Sequence, residues 1–266
     1  MAMSNLDKRA KDVKARATQP DHMYSYCRVI HCGQPARAGT ADGLDRLYCR
    51  RHADHYQRHG SPTKKSYPAQ VLNPYRQAAL VWMMAHEEDF WVKDAVGKVR
   101  GLYNRSGQKA EAFRLRGLSP RERGTALWAR LRASEVDPRL PVAAWLAVEM
   151  VLKDDPQPDL KPEFKRVQAA KLVHRMVSGT HKRWERKRPH PLHPGLPPVR
   201  VVEEKHWYPK SRGRVLRHIG QDLAGAVELL ADHRLEDIRT FKGERDKLGT
   251  YTSSPYPKGV VARTRP

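Results

Sequence analysis

The chain has 266 residues and is strongly basic, with 51 Lys and Arg against 29 Asp and Glu and a formal net charge of +22. This charge favours a polyanionic partner, above all nucleic acid, and the length predicts two folded units. No apolar run approaches the ~18 residues of a membrane-spanning helix, and the basic stretches lack an aromatic-rich insertion face. We therefore expect a soluble protein without a membrane partner.

The N-terminal segment is basic but lacks the apolar stretch of a secretory signal, so the expected location is the cytoplasm. Residues 1–22 are predicted to form a basic helix or arm, with the helix near residues 4–17. The three cysteines, Cys27, Cys32 and Cys49, all lie in one short window. A disulfide framework normally uses an even number of cysteines spread over the fold, so this clustering indicates a metal site.

Residues 23–66 are predicted to form a small zinc-binding module. Cys27-x4-Cys32 and Cys49-x2-His52 supply two close pairs of the donors that tetrahedral structural zinc requires. The second spacing places both side chains on one face of a first helical turn, so that a loop and a helix meet at the metal as in a treble clef. Four protein ligands leave no open position, so this zinc is expected to hold the module folded and not to catalyse.

Two alternatives remain open for this window. The three thiols could be free and buried, with His52 close to them by coincidence. A different histidine, His31 or His55, could also replace His52 as the fourth ligand.

The pattern C-x4-C-G-x-P-A followed by Y-C-x2-H-x6-H-G-S-P, within residues 27–62, resembles the zinc-binding segment that accompanies HNH endonucleases of bacteriophages and other mobile elements. The resemblance implies a zinc-stabilised nucleic-acid-binding accessory from phage, prophage or mobile DNA, and DNA is favoured over RNA on this ground. In that family a ββα-metal nuclease core follows the segment, but no such core is identified after Pro62. His86 with its neighbouring acids, and the region of His190, are candidates for it.

The chain beyond residue 66 is predicted to be mainly helical. Helix starts are indicated by Asn73-Pro74, by the capping box Ser119-Pro120-Arg121-Glu122 and by Asp137-Pro138. The segment LPVAAWLAVEMVL is apolar nearly all round and is expected to be the central buried helix. One apolar stripe is predicted to join Leu80, Met83, Met84, Phe90 and Trp91.

A long basic amphipathic helix is predicted from Pro162 to about Arg188, with Gly179 as its one interruption. The proline-rich residues 188–199 are expected to be an extended linker, and VRVVEEKHWY, which follows, is the only predicted strand. A last helix is predicted around residues 214–239. The expected organisation is mainly α, a treble-clef-like zinc module before a helical domain, in the order 1–22 arm, 23–66 zinc module, 67–187 helical domain, 188–199 linker, 200–248 strand and helix, 249–266 flexible tail.

Several basic stretches are candidates for contacts with nucleic acid. On the helix after Cys49 they are Arg50, Arg51 and Arg58, which His55, Gln57 and His59 could join. The others are Lys98, Arg100, Arg105, Lys182, Arg183, Arg186, Lys187, Arg188, Lys210, Arg212 and Arg214, with Trp184 as a ring for stacking.

The sequence contains no phosphate-binding loop, nucleophile elbow or dinucleotide fingerprint. The main hypothesis is therefore a non-catalytic, zinc-containing DNA-binding protein with structural zinc as its cofactor. One alternative is a divergent HNH-like, metal-dependent nuclease using His55 or His59, or a site hidden in the helical domain. The other is a virion, packaging or assembly component that contacts both nucleic acid and protein partners or forms an oligomer.

Overall fold

The computed structural model describes residues 26–36, 47–177, 180–189, 197–207 and 213–249, together with three single residues near the N-terminus. This part of the chain is mainly helical, as predicted, with seven α-helices, a short 3-10 helix at Ala112–Gly117 and one pair of strands. The elements are α1 (Arg50–His59), α2 (Ala69–Ala85), α3 (Phe90–Arg105), α4 (Pro120–Ala133), α5 (Arg139–Asp154), α6 (Pro162–Met176), β1 (Thr180–Arg188), β2 (Val199–Trp207) and α7 (Arg214–Lys247).

Helix α7 is the spine of a helical body formed by α2–α7. It has 34 residues, about 51 Å at the usual rise per residue, and packs against each of α2–α6. At Gly220 it approaches α6 so closely that a Cβ would clash with the backbone of Arg166. Glycine is therefore required where these two helices cross.

Helix α5 is buried on nearly all sides, as its apolar composition predicts. It packs against α2, α3, α6 and α7. The largest fully buried side chains of the body include Trp128, Trp145, Leu146, Met150, Phe164, Leu223 and Leu230. Burial of these apolar side chains is the main stabilising contribution to this unit.

Local start signals determine two of the helices. The capping box before α4 is formed as predicted: the Ser119 hydroxyl accepts a hydrogen bond from the backbone N–H of Glu122, whose carboxylate accepts one from the backbone N–H of Ser119. The start predicted at Asn73-Pro74 is wrong, because α2 begins at Ala69 and Pro74 lies inside it. The Pro68 carbonyl accepts from the N–H of Leu72, a core residue whose burial favours the earlier start.

The predicted single stripe from Leu80 to Trp91 is divided between two helices. Leu80 and Met83 are buried, whereas Met84 and Phe90 are exposed. The carboxylate of Asp89 accepts hydrogen bonds from the first N–H groups of α3, so this residue caps the start of α3. The apolar residues before and after Asp89 therefore belong to different helices.

The long helix predicted from Pro162 to about Arg188 is also wrong in its second half. Helix α6 ends at Met176, and Thr180–Arg188 form β1. The predicted strand is confirmed as β2 and pairs antiparallel with β1, from Thr180 opposite Trp207 to Arg188 opposite Val199. The basic residues of β1 therefore lie on a two-stranded hairpin and not on a helix face.

Most of the predicted N-terminal helix, most of the proline-rich linker and nearly all of the C-terminal tail lie outside the described residues. Within the described helices, none is both long enough and apolar enough to cross a bilayer.

Candidate metal centre

Four side chains converge at the N-terminal end of α1. One ligand atom from each of Cys27, Cys32, Cys49 and His52 lies within 4.8 Å of the other three. The His52 Nδ1 is 3.3 Å from the Cys27 Sγ and 3.4 Å from the Cys49 Sγ, and the Cys32 and Cys49 sulfurs are 3.9 Å apart. Donors of a tetrahedral site with metal–sulfur bonds of ~2.3 Å are separated by roughly 3.8 Å, so the four residues are close enough to bind one metal ion.

A short loop positions the first two ligands. Tyr26 and Pro35 form an isolated bridge, and next to it the N–H of Cys27 donates to the carbonyl of Gln34 over 2.9 Å. Within this loop His31 takes a left-handed backbone conformation, with a φ of 64°, and so reverses the direction of the chain just before Cys32. The loop thereby directs both sulfurs to the same side.

The start of α1 supplies the other two ligands. Cys49 is the N-cap residue, with extended backbone, and His52 follows in the first turn. A hydrogen bond from the N–H of Arg28 to the carbonyl of Leu47, 2.9 Å long, ties the first loop to the segment that leads into the helix. Loop and helix therefore meet at the cluster, as the spacing predicts.

The protonation properties of the ligands differ with their surroundings. Burial raises the pKa of the Cys27 thiol, whereas a hydrogen bond from the backbone of Gln34 lowers that of Cys32. Burial and the nearby Arg51 lower the pKa of His52. A neutral imidazole is the form that binds a metal, so the site favours the ligand state of His52.

The two other histidines considered as ligands have different surroundings. His31 is exposed, and the His55 Nδ1 lies 2.8 Å from the Ser61 carbonyl, to which it donates when protonated. The three cysteines form no disulfide. Among the described residues, the cluster is therefore formed by the four ligands that the sequence predicts.

Helix α1 is docked on the helical body through its middle. The Tyr56 hydroxyl donates to Glu163 of α6 over 2.5 Å, and Arg217 of α7 pairs with the same carboxylate. The carbonyl of Gln57 accepts from the N–H of Gly213 over 3.0 Å. Burial, and then the hydrogen bond with Glu163, raise the pKa of Tyr56, and the charge of Arg217 offsets part of this increase.

The exit from α1 is held by a second polar cluster. Gly60 ends the helix with φ 76, and a Cβ at this position would clash with the backbone of Glu163 and Phe164. The His59 Nδ1 accepts from the N–H of Ser66 over 3.0 Å, and the Lys171 ammonium donates to the Ser66 hydroxyl over 2.6 Å. Burial lowers the pKa of His59 to about 4, and that of Lys171 to about 8.

These contacts change the roles predicted for α1. The rings of His55 and His59, which the sequence suggested for contacts with nucleic acid or for a nuclease site, have hydrogen-bond partners inside the protein. Gln57, suggested for contacts with nucleic acid, is held through its backbone carbonyl. The sequence does not indicate a role in this arrangement for Tyr56, Glu163, Ser66, Lys171 and Arg217. Apart from the contact of Ser66 with His59, these contacts join residues that are far apart along the chain, so no local pattern could reveal them.

The predicted nucleic-acid contacts fall into separate groups. Arg50, Arg51 and Arg58 are exposed on α1, and Arg214 is exposed immediately after Gly213, which contacts α1. On α3, Arg100 and Arg105 are exposed, while Lys98 pairs with Asp94 over 2.6 Å. On β1 the exposed side chains are Arg183, Trp184, Arg186, Lys187 and Arg188. The side chain of Lys182, and both Lys210 and Arg212, lie outside the described part.

The acids near His86, considered as parts of a nuclease core, have structural contacts. Asp89 caps α3 and pairs with Arg234 over 2.9 Å, and Glu88 pairs with Lys93. The ring of His86 stacks on Trp82. His190 lies outside the described residues.

Comparison with known proteins adds no family to these observations, because no family model, no curated protein and no solved structure matches the chain.

Proposed function

We propose that the chain is a zinc-stabilised, non-catalytic nucleic-acid-binding protein of phage or mobile-element type that acts in the cytoplasm, with DNA as the favoured partner. The observation that carries the proposal is the exposed cationic surface on β1 and on α1. Seven Lys and Arg residues lie on the two strands of the hairpin against three Glu. Such a surface attracts a phosphate backbone and releases its counterions on binding.

Zinc is the proposed metal because of the donor set. Three thiolates and one imidazole match the Cys3His type of structural site, in which tetrahedral Zn²⁺ is the usual ion. Four protein ligands fill the tetrahedral shell, so no position remains for a water or a substrate. The metal would therefore stabilise a treble-clef-like module and take no part in chemistry.

The docking of α1 supports a binding role for its arginines. Tyr56, Gln57 and His59 hold one side of the helix against the body, while Arg50, Arg51 and Arg58 remain exposed. The metal at one end and the body along the side would hold these three guanidinium groups in place. Preorganised cations lose less conformational entropy when they bind phosphates.

The experiment is a binding series with zinc-loaded protein and three labelled polymers: duplex DNA, single-stranded DNA and RNA, each with and without Mg²⁺ or Mn²⁺. The proposal expects retarded, intact DNA in all cases, with weaker retardation of RNA. Cleavage that requires the divalent cation would replace the proposal by the nuclease alternative. Absence of binding to every polymer would overturn it and favour an assembly protein that acts through protein partners.

A further inference from the structure

The hairpin of β1 and β2, residues 180–188 and 199–207, has an unusual composition for a pair of strands. Every described side chain from Arg183 to Arg188 is exposed, and so are six of the nine residues of β2, Val199 included. A contact between the hairpin and the helical body is the Trp207 ring against Phe113, with centroids 5.3 Å apart. An isolated two-stranded hairpin is only marginally stable in water, so a surface that covers one of its faces would stabilise it.

Each of the three acids of the hairpin has a basic partner within the hairpin. Glu203 pairs with Arg188 over 2.5 Å, Glu204 lies 3.6 Å from Arg183, and Glu185 lies 3.8 Å from Arg200. Four basic residues remain in excess. Within the described part of the chain, Arg186 and Lys187 form no ion pair, and Arg186 acts only at longer range on Glu203, whose pKa it helps to lower. Both cations can therefore still contact an external anion.

The two faces of the hairpin differ. Alternation along the strands and the register place Trp184, Arg186 and Arg188 on one face, together with Glu203, Lys205 and Trp207 of β2. Among the side chains that the structure describes, this face, here called the Trp184 face, has three basic residues against one acid and an indole ring that is 39% exposed. Its Trp207 end contacts Phe113, so the exposed part of the face is the part from Trp184 to Arg188. The opposite face has three basic residues, Arg183, Lys187 and Arg200, against two acids. Cationic excess and an exposed aromatic ring thus coincide on the Trp184 face.

The dimensions of the hairpin fit one form of nucleic acid. Nine paired residues span about 30 Å, and two strands ~4.8 Å apart with their side chains form a ribbon about as wide as the B-form major groove, ~12 Å. The major groove of A-form RNA is too deep and narrow for such a ribbon. The shape and the charge of the hairpin therefore both favour B-form duplex DNA.

We propose that the hairpin enters the major groove of B-form duplex DNA with its Trp184 face toward the bases. This inference rests on the proposed function and specifies the form of nucleic acid and the binding element. Arg186 reaches a base edge or an adjacent phosphate from this face, and the remaining cations contact the two phosphate backbones.

Two neighbouring residues provide a matched pair of variants. Arg186→Gln and Lys187→Gln remove the same charge from adjacent positions of one strand, on opposite faces of the hairpin. Both side chains are exposed, so metal content and the unfolding temperature should stay unchanged. We expect about tenfold weaker duplex-DNA binding for Arg186→Gln, as for the loss of one specific contact, and about twofold weaker binding for Lys187→Gln.

Methylation of the bound duplex by dimethyl sulfate identifies the groove, because guanine N7 lies in the major groove and adenine N3 in the minor groove. The wild-type protein should protect guanine N7, and Arg186→Gln should lose part of that protection. Equal effects of the two variants, protection at adenine N3 alone, or equal affinity for duplex RNA would overturn the inference while DNA binding stands. Absence of wild-type binding to any DNA would instead contradict the proposed function itself.

Discussion

We expect the helical body and the metal module, which comprises the Cys/His cluster and helix α1, to be stabilised in different ways. The body buries a contiguous apolar core that includes Trp128, Trp145 and Phe164 from three different helices. The module has a small cluster of five buried residues, two of which, Cys27 and Cys49, are themselves candidate metal ligands. A segment of this size cannot bury enough apolar surface to fold alone, so we expect its stability to depend on a bound metal and on contacts with the body.

The largest expected effect follows from removing a ligand. Cys49→Ser should abolish metal binding and unfold the module, because structural zinc contributes an apparent ~10–16 kcal/mol in small zinc domains. The thermal transition of the helical body should remain. Metal analysis and circular dichroism of the purified variant measure both effects.

His31→Gln is the matched control for this variant. His31 is next to Cys32 but exposed, so its replacement should leave one metal per chain. Full metal content in Cys49→Ser, or loss of the metal in His31→Gln, would contradict the ligand assignment.

A cavity in the helical body should have the opposite effect: it should destabilise the body and leave the metal bound. Trp145 is fully buried, and Trp145→Ala should lower the free energy of unfolding of the body by about 3–5 kcal/mol while the metal stays bound. Urea unfolding followed by circular dichroism gives this value. Trp184→Ala, at an exposed position, should change it by less than ~0.5 kcal/mol.

A loss of metal in Trp145→Ala would show that the two units unfold together. The distinction between a metal-dependent and a core-dependent unit would then be wrong.

Asp155 connects the exit of the module to the body and should make their stability pH-dependent. Partial burial opposes its ionisation, but hydrogen bonds from Lys64 and Tyr67 outweigh this and lower its pKa to about 2. Since the folded-state pKa lies below the unfolded value of about 4, the stabilisation is complete above pH 4 and is lost as the pH falls toward 2.

Asp155→Asn should therefore cost about 2 kcal/mol at pH 7 and progressively less between pH 4 and pH 2, as measured by urea unfolding at each pH. Glu244→Gln, an exposed carboxylate of α7, is the control and should show a small difference at every pH. A cost of Asp155→Asn that is the same at pH 7 and pH 2.5 would refute this role of Asp155.

The smallest effect is expected at the hydrogen bond between α1 and α6. Tyr56→Phe removes the donor to Glu163, which keeps its ion pair with Arg217, so the loss should be about 1 kcal/mol. Differential scanning calorimetry can measure this change. Tyr26→Phe, at a residue that is 48% exposed, should have no comparable effect, and an equal loss in both variants would contradict the docking role of Tyr56.

Features with a local cause were predictable from the sequence. The capping box at Ser119 and the apolar run of α5 are short-range signals, and both elements form as predicted. The spacing of Cys27, Cys32, Cys49 and His52 likewise identified the residues that the structure brings together.

Features that depend on distant partners were not predictable. The segment HKRWERKR has no apolar alternation of its own, so the sequence predicts the end of a basic helix there. It becomes a strand because it pairs with β2, whose first residue is 11 positions after Arg188. The contact of Tyr56 with Glu163 joins residues 107 positions apart, so the docking of α1 left no local pattern in the sequence.

The most direct test of the central proposal is the affinity of the zinc-loaded protein for duplex DNA as a function of salt concentration. Cations on α1 and on the hairpin that neutralise about five phosphates predict a slope of about −4 to −5 in a plot of log Kobs against log [salt]. A slope between 0 and −1, or no binding at low salt, would contradict the proposal that the basic surface binds nucleic acid.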